Sequence, residues 1–253
     1  MIISNKLIQI STSDGLYLHG FYAPTSDKKV ALLHIHGFEG NFYENNFIYS
    51  LIKNLSQNDI AFLTVNTRGN NKNSDFNTVD GDCKTIGAWN ELLEEAHLDI
   101  SAWIKFLLDE GYHEIILQGH SLGTVKVVSY LSEGEYKDKI NKLILLSPFE
   151  NGLPDNLSSD TQKSWGKYTK MFEFNNPNRD SSLLKQIKIP TKIIVGSKDP
   201  EFFRSQPANS QKAMDMLLND ISDSQGIFIP DALHCFQPNE DLMSQEVVNF
   251  INL

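Results

Sequence analysis

The sequence has few cysteines, no long apolar run and no excess of positive charge, and each deficit excludes a class of protein. Only Cys83 and Cys235 occur among the 253 residues, which excludes a disulfide framework, and their spacing fits no zinc motif. No apolar run reaches the length of a membrane span. The formal net charge of -10 disfavours nucleic acid and anionic membrane surfaces as partners.

The amino terminus and the composition indicate a cytoplasmic globular protein. Residues 1–10 lack a basic region, a long apolar core and a small-residue cleavage site, so no signal peptide is expected. Hydrophobic residues make up 40% and charged residues 21% of the chain, enough for a sizeable core under an ordinary soluble surface. The length suits one α/β domain that carries an insertion.

Strand and helix patterns alternate along most of the chain. After a hairpin around Asp14-Gly15, short apolar runs typical of buried parallel strands follow at residues 30–35, 60–65, 114–117, 140–146, 191–195 and 226–229. Helical spacing is found at residues 47–55, 92–108, 124–131, 211–218 and 243–251. The Asn-, Asp- and Gly-rich residues 71–82 predict an irregular loop. The alternation predicts an α/β fold, with a mostly parallel sheet and helices on both faces.

The motif Gly119-x-Ser121-x-Gly123 lies between a predicted strand and a predicted helix. A serine nucleophile at such a position needs a sharp, strained turn that lifts its hydroxyl above the sheet edge, and the flanking glycines avoid a clash of Cβ atoms. The following helix points its N-terminus at the reacting centre, where its dipole favours negative charge. The pattern therefore predicts Ser121 as a nucleophile.

A serine hydroxyl needs an adjacent base, and His234 is the one histidine downstream of Ser121. It follows the last predicted strand, on a loop that can reach the sheet edge. The acid that orients this histidine should follow the preceding strand, where Asp199 is favoured. Glu201 is the nearest alternative and Asp231 a poorer one.

Two backbone N–H groups are expected to form an oxyanion hole, one from Leu122 and one from Phe38 after the strand that ends at His36-Gly37. His34 and His36 would share one face of that strand. Two histidines without a carboxylate or cysteine companion are weak evidence for a metal. We interpret His36 as a brace for the oxyanion loop and predict no metal.

Together these pieces resemble the α/β-hydrolase superfamily. The matching pieces are His36-Gly37-Phe38, Asn66-Thr67-Arg68-Gly69, Gly119-His120-Ser121-Leu122-Gly123, Gly196-Ser197-Lys198-Asp199 and His234, in the family's order over nearly the whole chain. The opening and the Arg-Gly region are similar to a branch related to serine aminopeptidase-like and acyl-ester hydrolases, although Asn66 stands where many relatives carry aspartate. The resemblance implies an eight-stranded, mostly parallel sheet formed by residues 1–149 and 188–253, and a cap at residues 150–187.

The cap segment carries four aromatic residues that invite two interpretations: Trp165, Tyr168, Phe172 and Phe174. Their spacings of three and four fit a helix whose rings pack on the core. Alternatively, some of these rings line an apolar wall over Ser121, with Phe38 opposite, and bind the substrate by burial.

The triad and the resemblance predict hydrolysis of a small-molecule carboxylic ester or thioester through an acyl-enzyme, without a cofactor. The same triad also serves acyl transfer, amide cleavage, C–C bond cleavage and lyase chemistry, among which the fold does not choose. A ligand-binding protein that has lost turnover is the alternative from another class. The intact set of Ser121, Asp199 and His234 argues against it.

Overall fold

The computed structural model describes residues 5–148, 154, 157–202 and 210–253. The strands are β1 (Lys6–Ser11), β2 (Tyr17–Ala23), β3 (Val30–Ile35), β4 (Ala61–Val65), β5 (Asp75–Asn77), β6 (Cys83–Thr85), β7 (Glu114–His120), β8 (Ile140–Leu146), β9 (Thr191–Gly196) and β10 (Ser224–Ile229). The helices are α1 (Asn46–Gln57), α2 (Ala96–Asp109), α3 (Leu122–Glu133), α4 (Ser159–Tyr168), α5 (Ser182–Gln186), α6 (Ser210–Asp220) and α7 (Glu240–Ile251). None of these helices is long and apolar enough to cross a membrane.

An eight-stranded sheet with the order β1-β2-β4-β3-β7-β8-β9-β10 forms the centre of the fold. Strands β4, β3, β7, β8, β9 and β10 pair in parallel, while β2 runs antiparallel to β1 and β4. The predicted mostly parallel eight-stranded sheet is therefore confirmed. Because the carboxyl ends of parallel strands meet at one edge, the loops after β3, β7, β9 and β10 lie along the same edge.

Both faces of the sheet are covered, which explains why the central strands are nearly continuous apolar runs. In β3, Leu33 and Ile35 belong to the cluster that packs with α2 and α3, whereas Leu32 belongs to the cluster under α1 and α7. The other central strands follow the same alternation. The sheet is thus a rigid platform that fixes the positions of the loops at its edge.

A buried arginine ties the amino-terminal hairpin to α2. The side chain of Arg68 is 1% exposed and pairs with Asp99, Asp14 and Glu95 at 2.8 to 3.0 Å. Asp99 also accepts a hydrogen bond from the backbone N–H of Arg68 at 2.7 Å. The Arg-Gly turn seen in the sequence therefore holds the loop after β4 against two other elements.

Three segments differ from the sequence-based expectation. The predicted loop at residues 71–82 contains β5, which pairs with β6 in a small antiparallel sheet, so that prediction was wrong in part. The predicted helix at 92–108 begins with a 3₁₀ turn at Leu93–Glu95 and becomes α-helical only at Ala96. Strand β7 continues through His120 because it pairs with β8 up to Leu146, which carries the sheet directly to Ser121.

The predicted cap at residues 150–187 is described only in part, since residues 150–153, 155 and 156 lie outside the described residues. The described part contains α4, a 3₁₀ turn at Thr169–Phe172 and α5. The side-chain oxygen of Ser158 caps α4 by accepting a hydrogen bond from the N–H of Thr161. This segment packs on the core through its aromatic side chains.

Candidate active site

Ser121 occupies a strained turn between β7 and α3. Its φ of 54° and ψ of -123° lie outside the regions that L-residues prefer, a strain that costs about 1–3 kcal/mol. The turn is held by the N–H of Ser121, which donates to Leu146 O at 2.9 Å, and by Thr124, which donates from N and from Oγ1 to Ser121 O. A strained backbone that its surroundings enforce is typical of a nucleophile elbow.

The two flanking glycines make room for this turn. A Cβ on Gly119 would lie 2.4 Å from Gly123 O, and a Cβ on Gly123 would lie 2.4 Å from Ile35 O. Neither gap admits a side chain, because backbone atoms occupy the space. The Gly-x-Ser-x-Gly pattern therefore has a steric cause in this structure.

Asp199 and His234 meet at the same edge of the sheet. His234 Nδ1 lies 3.0 Å from each carboxylate oxygen of Asp199, whose side chain is fully buried. Since the carboxylate only accepts, Nδ1 carries the proton, and Nε2 of the neutral ring is left as an acceptor. The structure thus brings together the predicted acid and the predicted base.

The carboxylate of Asp199 is held by two further donors. The backbone N–H groups of Glu201 and Phe202 donate to Asp199 Oδ1 at 2.8 and 3.2 Å. Burial acts to raise the pKa of Asp199, but hydrogen bonding to His234 and to the N–H of Glu201 outweighs it, so the pKa lies below its usual value. The lowered pKa favours the carboxylate form of Asp199. Glu201, the alternative acid, contributes its backbone to this carboxylate.

His120, the residue before Ser121, connects the elbow to the loop of His234. Its Nε2 donates to His234 O at 3.0 Å, and the two rings lie 5.0 Å apart. Burial lowers the pKa of His120 to about 3, so the ring is neutral and adds no charge beside His234. Sequence reasoning missed this residue, although its place inside the Gly-x-Ser-x-Gly motif was a signal.

The loop after β3 approaches the elbow from the other side. A Cβ on Gly37 would lie 2.9 Å from Ser121 Cβ and 3.4 Å from Ser121 Oγ, so the backbone of this loop lies directly against Ser121. Phe38 follows Gly37 directly. Leu122 is the first residue of α3, so the backbone N–H of Leu122 has no partner within the helix. These are the two predicted oxyanion donors.

The four aromatic residues of the predicted cap are all buried: Trp165, Tyr168, Phe172 and Phe174 are 0 to 3% exposed. Trp165 packs edge-to-face on Phe38 with ring centroids 5.6 Å apart, and its Nε1 donates to Glu91 O at 2.9 Å. Phe174 packs on Phe202, three residues after Asp199. The segment therefore contacts residues on both sides of the site.

The described residues contain no group of three or more His, Cys, Asp or Glu side chains that could hold a metal ion. His34, the other half of the His-x-His pattern, lies on β3, where its Nδ1 is 2.8 Å from Gln118 Nε2. His36 instead contacts the loop after the strand. The two histidines thus have separate structural partners.

Comparison with known proteins gives a consistent family assignment. A family model described as alpha/beta hydrolase fold matches residues 30–179. No curated protein matches the sequence. Among solved structures, the fold resembles Est1E from Butyrivibrio proteoclasticus with ferulic acid bound, with a TM-score of 0.71, 20% identity and coverage of 97% of this chain and 98% of that one.

Two further structures share the fold. The esterase Pf2001 from Pyrococcus furiosus has a TM-score of 0.68 at 19% identity, covering 99% of this chain and 91% of its own. A dienelactone hydrolase from Anabaena variabilis has a TM-score of 0.66 at 13% identity, covering 98% and 97%. At these identities the likeness establishes a shared fold over nearly the whole chain.

Proposed function

This chain belongs to the α/β-hydrolase family, and on that premise we propose that it is a serine hydrolase that cleaves carboxylic esters or thioesters. The observation that carries the proposal is the pairing of Asp199 with His234 at the sheet edge where Ser121 stands on its strained turn. Solved structures that share its fold include an esterase and a dienelactone hydrolase, which favours ester substrates.

The proposed reaction has two halves. In the first, Ser121 Oγ attacks the ester carbonyl carbon while His234 Nε2 takes the hydroxyl proton, and the carbonyl oxygen becomes an oxyanion. The N–H groups of Phe38 and Leu122 stabilise this charge. The tetrahedral intermediate then expels the alcohol or thiol, which receives the proton from His234, and leaves an acyl group on Ser121.

The second half repeats these steps with water. His234 takes a proton from the water, the resulting hydroxide attacks the acyl carbon, and the proton returns to Ser121 Oγ as the carboxylic acid leaves. The carboxylate of Asp199 stabilises the imidazolium in both halves without becoming protonated. No step requires a cofactor.

A chromogenic short-chain ester tests this proposal with the wild-type protein. We expect steady release of the chromophore together with an equal amount of free carboxylic acid, which distinguishes hydrolysis from acyl transfer to an added alcohol. Binding of the ester without turnover would contradict the proposal and support a ligand-binding role instead. Transfer to the alcohol in place of acid formation would indicate an acyltransferase.

We further propose that residues 150–187 form a cap that contributes to substrate selection. The contact between Trp165 and the oxyanion-loop residue Phe38 supports this role. Burying a large apolar side chain is worth roughly 1.5–3 kcal/mol. A lost wall residue should therefore change KM or chain-length preference by about tenfold or more.

The cap prediction is tested with four alanine variants and a series of esters of increasing acyl length. The variants are Trp165→Ala, Tyr168→Ala, Phe172→Ala and Phe174→Ala. The control is Lys163→Ala, at an exposed position of α4. At least one aromatic variant should show an altered chain-length profile, while a small phosphonate still reacts with the protein. If all four lose only thermal stability, the segment is a structural connection.

A further inference from the structure

A buried ion pair involves the helix that follows Ser121. Lys126 on α3 is 1% exposed and its Nζ lies 2.7 Å from Oε1 of Glu91, which is 0% exposed. Removing two charges from water is costly, and a buried ion pair is often no more stabilising than apolar side chains of the same volume. The position of Lys126 on the helix that follows Ser121 therefore suggests a role beyond stability.

Hydrogen bonds run from this ion pair to the histidine beside the oxyanion loop. Lys126 Nζ donates to Thr67 Oγ1 at 3.0 Å, and Thr67 Oγ1 lies 3.2 Å from His36 Nε2. The backbone N–H of Thr67 also donates to His36 Nε2 at 3.1 Å. Because an ammonium group only donates, the Thr67 hydroxyl accepts from Lys126 and turns its own proton to His36.

These donors fix the tautomer of His36. With Nε2 accepting, the ring proton sits on Nδ1, which donates to Gly37 O at 2.8 Å. Burial lowers the pKa of His36 to about 3, and the charge of Lys126 acts in the same direction, so the ring stays neutral. The series of hydrogen bonds therefore has one direction, from Lys126 to the carbonyl of Gly37.

The carbonyl of Gly37 and the N–H of Phe38 belong to the same peptide group. In a trans peptide these two groups point in opposite directions, so a hydrogen bond that anchors the carbonyl also sets the direction of the N–H. Gly40 N also donates to Gly37 O, at 3.2 Å. Hydrogen bonds in series polarise one another, which makes the Phe38 N–H a stronger donor.

Glu91 is linked to Phe38 by a second route. Its backbone oxygen accepts from Trp165 Nε1 at 2.9 Å, and the Trp165 ring packs edge-to-face on the Phe38 ring. The space for the Glu91 carboxylate depends on Gly69, since a Cβ there would lie 1.9 Å from Glu91 Oε2. The side chain and the peptide of Phe38 are thus held by two routes that meet at Glu91.

We propose that Lys126, Glu91 and Thr67 form a positioning group that acts through His36 on the Phe38 N–H. This group aims and strengthens one oxyanion donor without touching the substrate. The inference rests on the proposed serine-hydrolase function, because the oxyanion forms only in that reaction. We expect the group to affect kcat and not KM, because the charge on the carbonyl oxygen develops in the transition state.

A pair of substitutions at Thr67 tests the positioning group. Thr67→Val keeps the shape of the side chain and the backbone N–H but removes the hydroxyl, whereas Thr67→Ser keeps the hydroxyl. Each variant is assayed with a chromogenic ester and with the matching thionoester, in which sulfur replaces the carbonyl oxygen. Sulfur is a weak hydrogen-bond acceptor, so the thionoester depends less on the oxyanion donors.

Thr67→Val should lower kcat for the ester by about tenfold or more, less than the roughly hundredfold to thousandfold loss of a whole oxyanion donor. KM should stay near the wild-type value, and the ester-to-thionoester rate ratio should fall. Thr67→Ser should keep that ratio. An equal loss on both substrates, or a Thr67→Val rate like that of the wild type, would overturn the inference.

A double substitution separates positioning from folding. Removing one ion leaves its partner buried without a counter-charge, whereas Glu91→Leu with Lys126→Met removes both charges at similar volume. The double variant should keep a melting temperature near that of the wild type and still show the reduced ester-to-thionoester ratio. A folded double variant with the wild-type ratio contradicts the positioning role. Inactivity of the wild-type protein on both substrates would instead overturn the proposed function.

Discussion

Replacing Asp199 with asparagine should lower kcat for an ester about ten-thousandfold while the protein stays folded. In the wild type, His234 Nδ1 lies close to both carboxylate oxygens of Asp199. An asparagine amide has one accepting oxygen and an NH₂ group that only donates, so it can also face the imidazole with a donor. The wrong tautomer then presents a proton to Ser121 where a base is needed. The negative charge that stabilises the imidazolium is also lost.

Glu201→Gln is the matched control for this prediction. It makes the same chemical change two residues away, at a residue whose backbone N–H donates to Asp199 Oδ1. Its kcat should therefore stay close to the wild-type value. If Glu201→Gln abolishes turnover and Asp199→Asn does not, the acid is Glu201. Circular dichroism and melting curves of both variants establish that they are folded.

His234→Ala should lower kcat by at least about a thousandfold, as the loss of a triad base does in other hydrolases. The variant leaves Ser121 without a proton acceptor, although the strained turn and the oxyanion donors remain. His113→Ala, at an exposed histidine before β7, is the control and should keep the wild-type rate. A His234→Ala variant with near wild-type turnover would remove this histidine from the mechanism.

The pH dependence of kcat/KM for the wild-type protein is a second test of the role of His234. Only a neutral imidazole can take the serine proton, so kcat/KM should rise from weakly acidic to neutral pH and then level off. Asp199 contributes no step in that range, because its pKa lies below the usual value. The buried neutral His36 and His120, each with a pKa lowered to about 3, contribute none either.

The strand–helix order was predictable because each element leaves a local signature. Buried parallel strands are short apolar runs, and the helices on both faces repeat their apolar residues at helical spacing. The turn at Ser121 was predictable for the same reason, because it leaves no space for a Cβ at either flanking position and therefore requires glycine at both. The order of Ser121, Asp199 and His234 in the chain then follows from the order of the strands.

Contacts between distant segments were not predictable in this way. A lysine in a helix normally indicates a solvent-exposed face. Lys126 is nevertheless buried, because Glu91, from the loop before the 3₁₀ turn, supplies its counter-charge. The small sheet of β5 and β6 depends on pairing between polar segments that carry no apolar alternation. Similarly, the contact of His120 with the loop of His234 joins residues 114 positions apart.

The most direct test of the central claim is covalent labelling by an organophosphonate that mimics the tetrahedral intermediate. An activated serine hydroxyl displaces the leaving group at phosphorus and keeps the phosphonyl group as a stable ester. Mass spectrometry of the digested wild-type protein should locate one adduct, on the peptide that contains Ser121, and the adduct should be absent from Ser121→Ala. An adduct on Cys83, Cys235 or another serine, with none on Ser121, would contradict the assignment of Ser121 as the nucleophile.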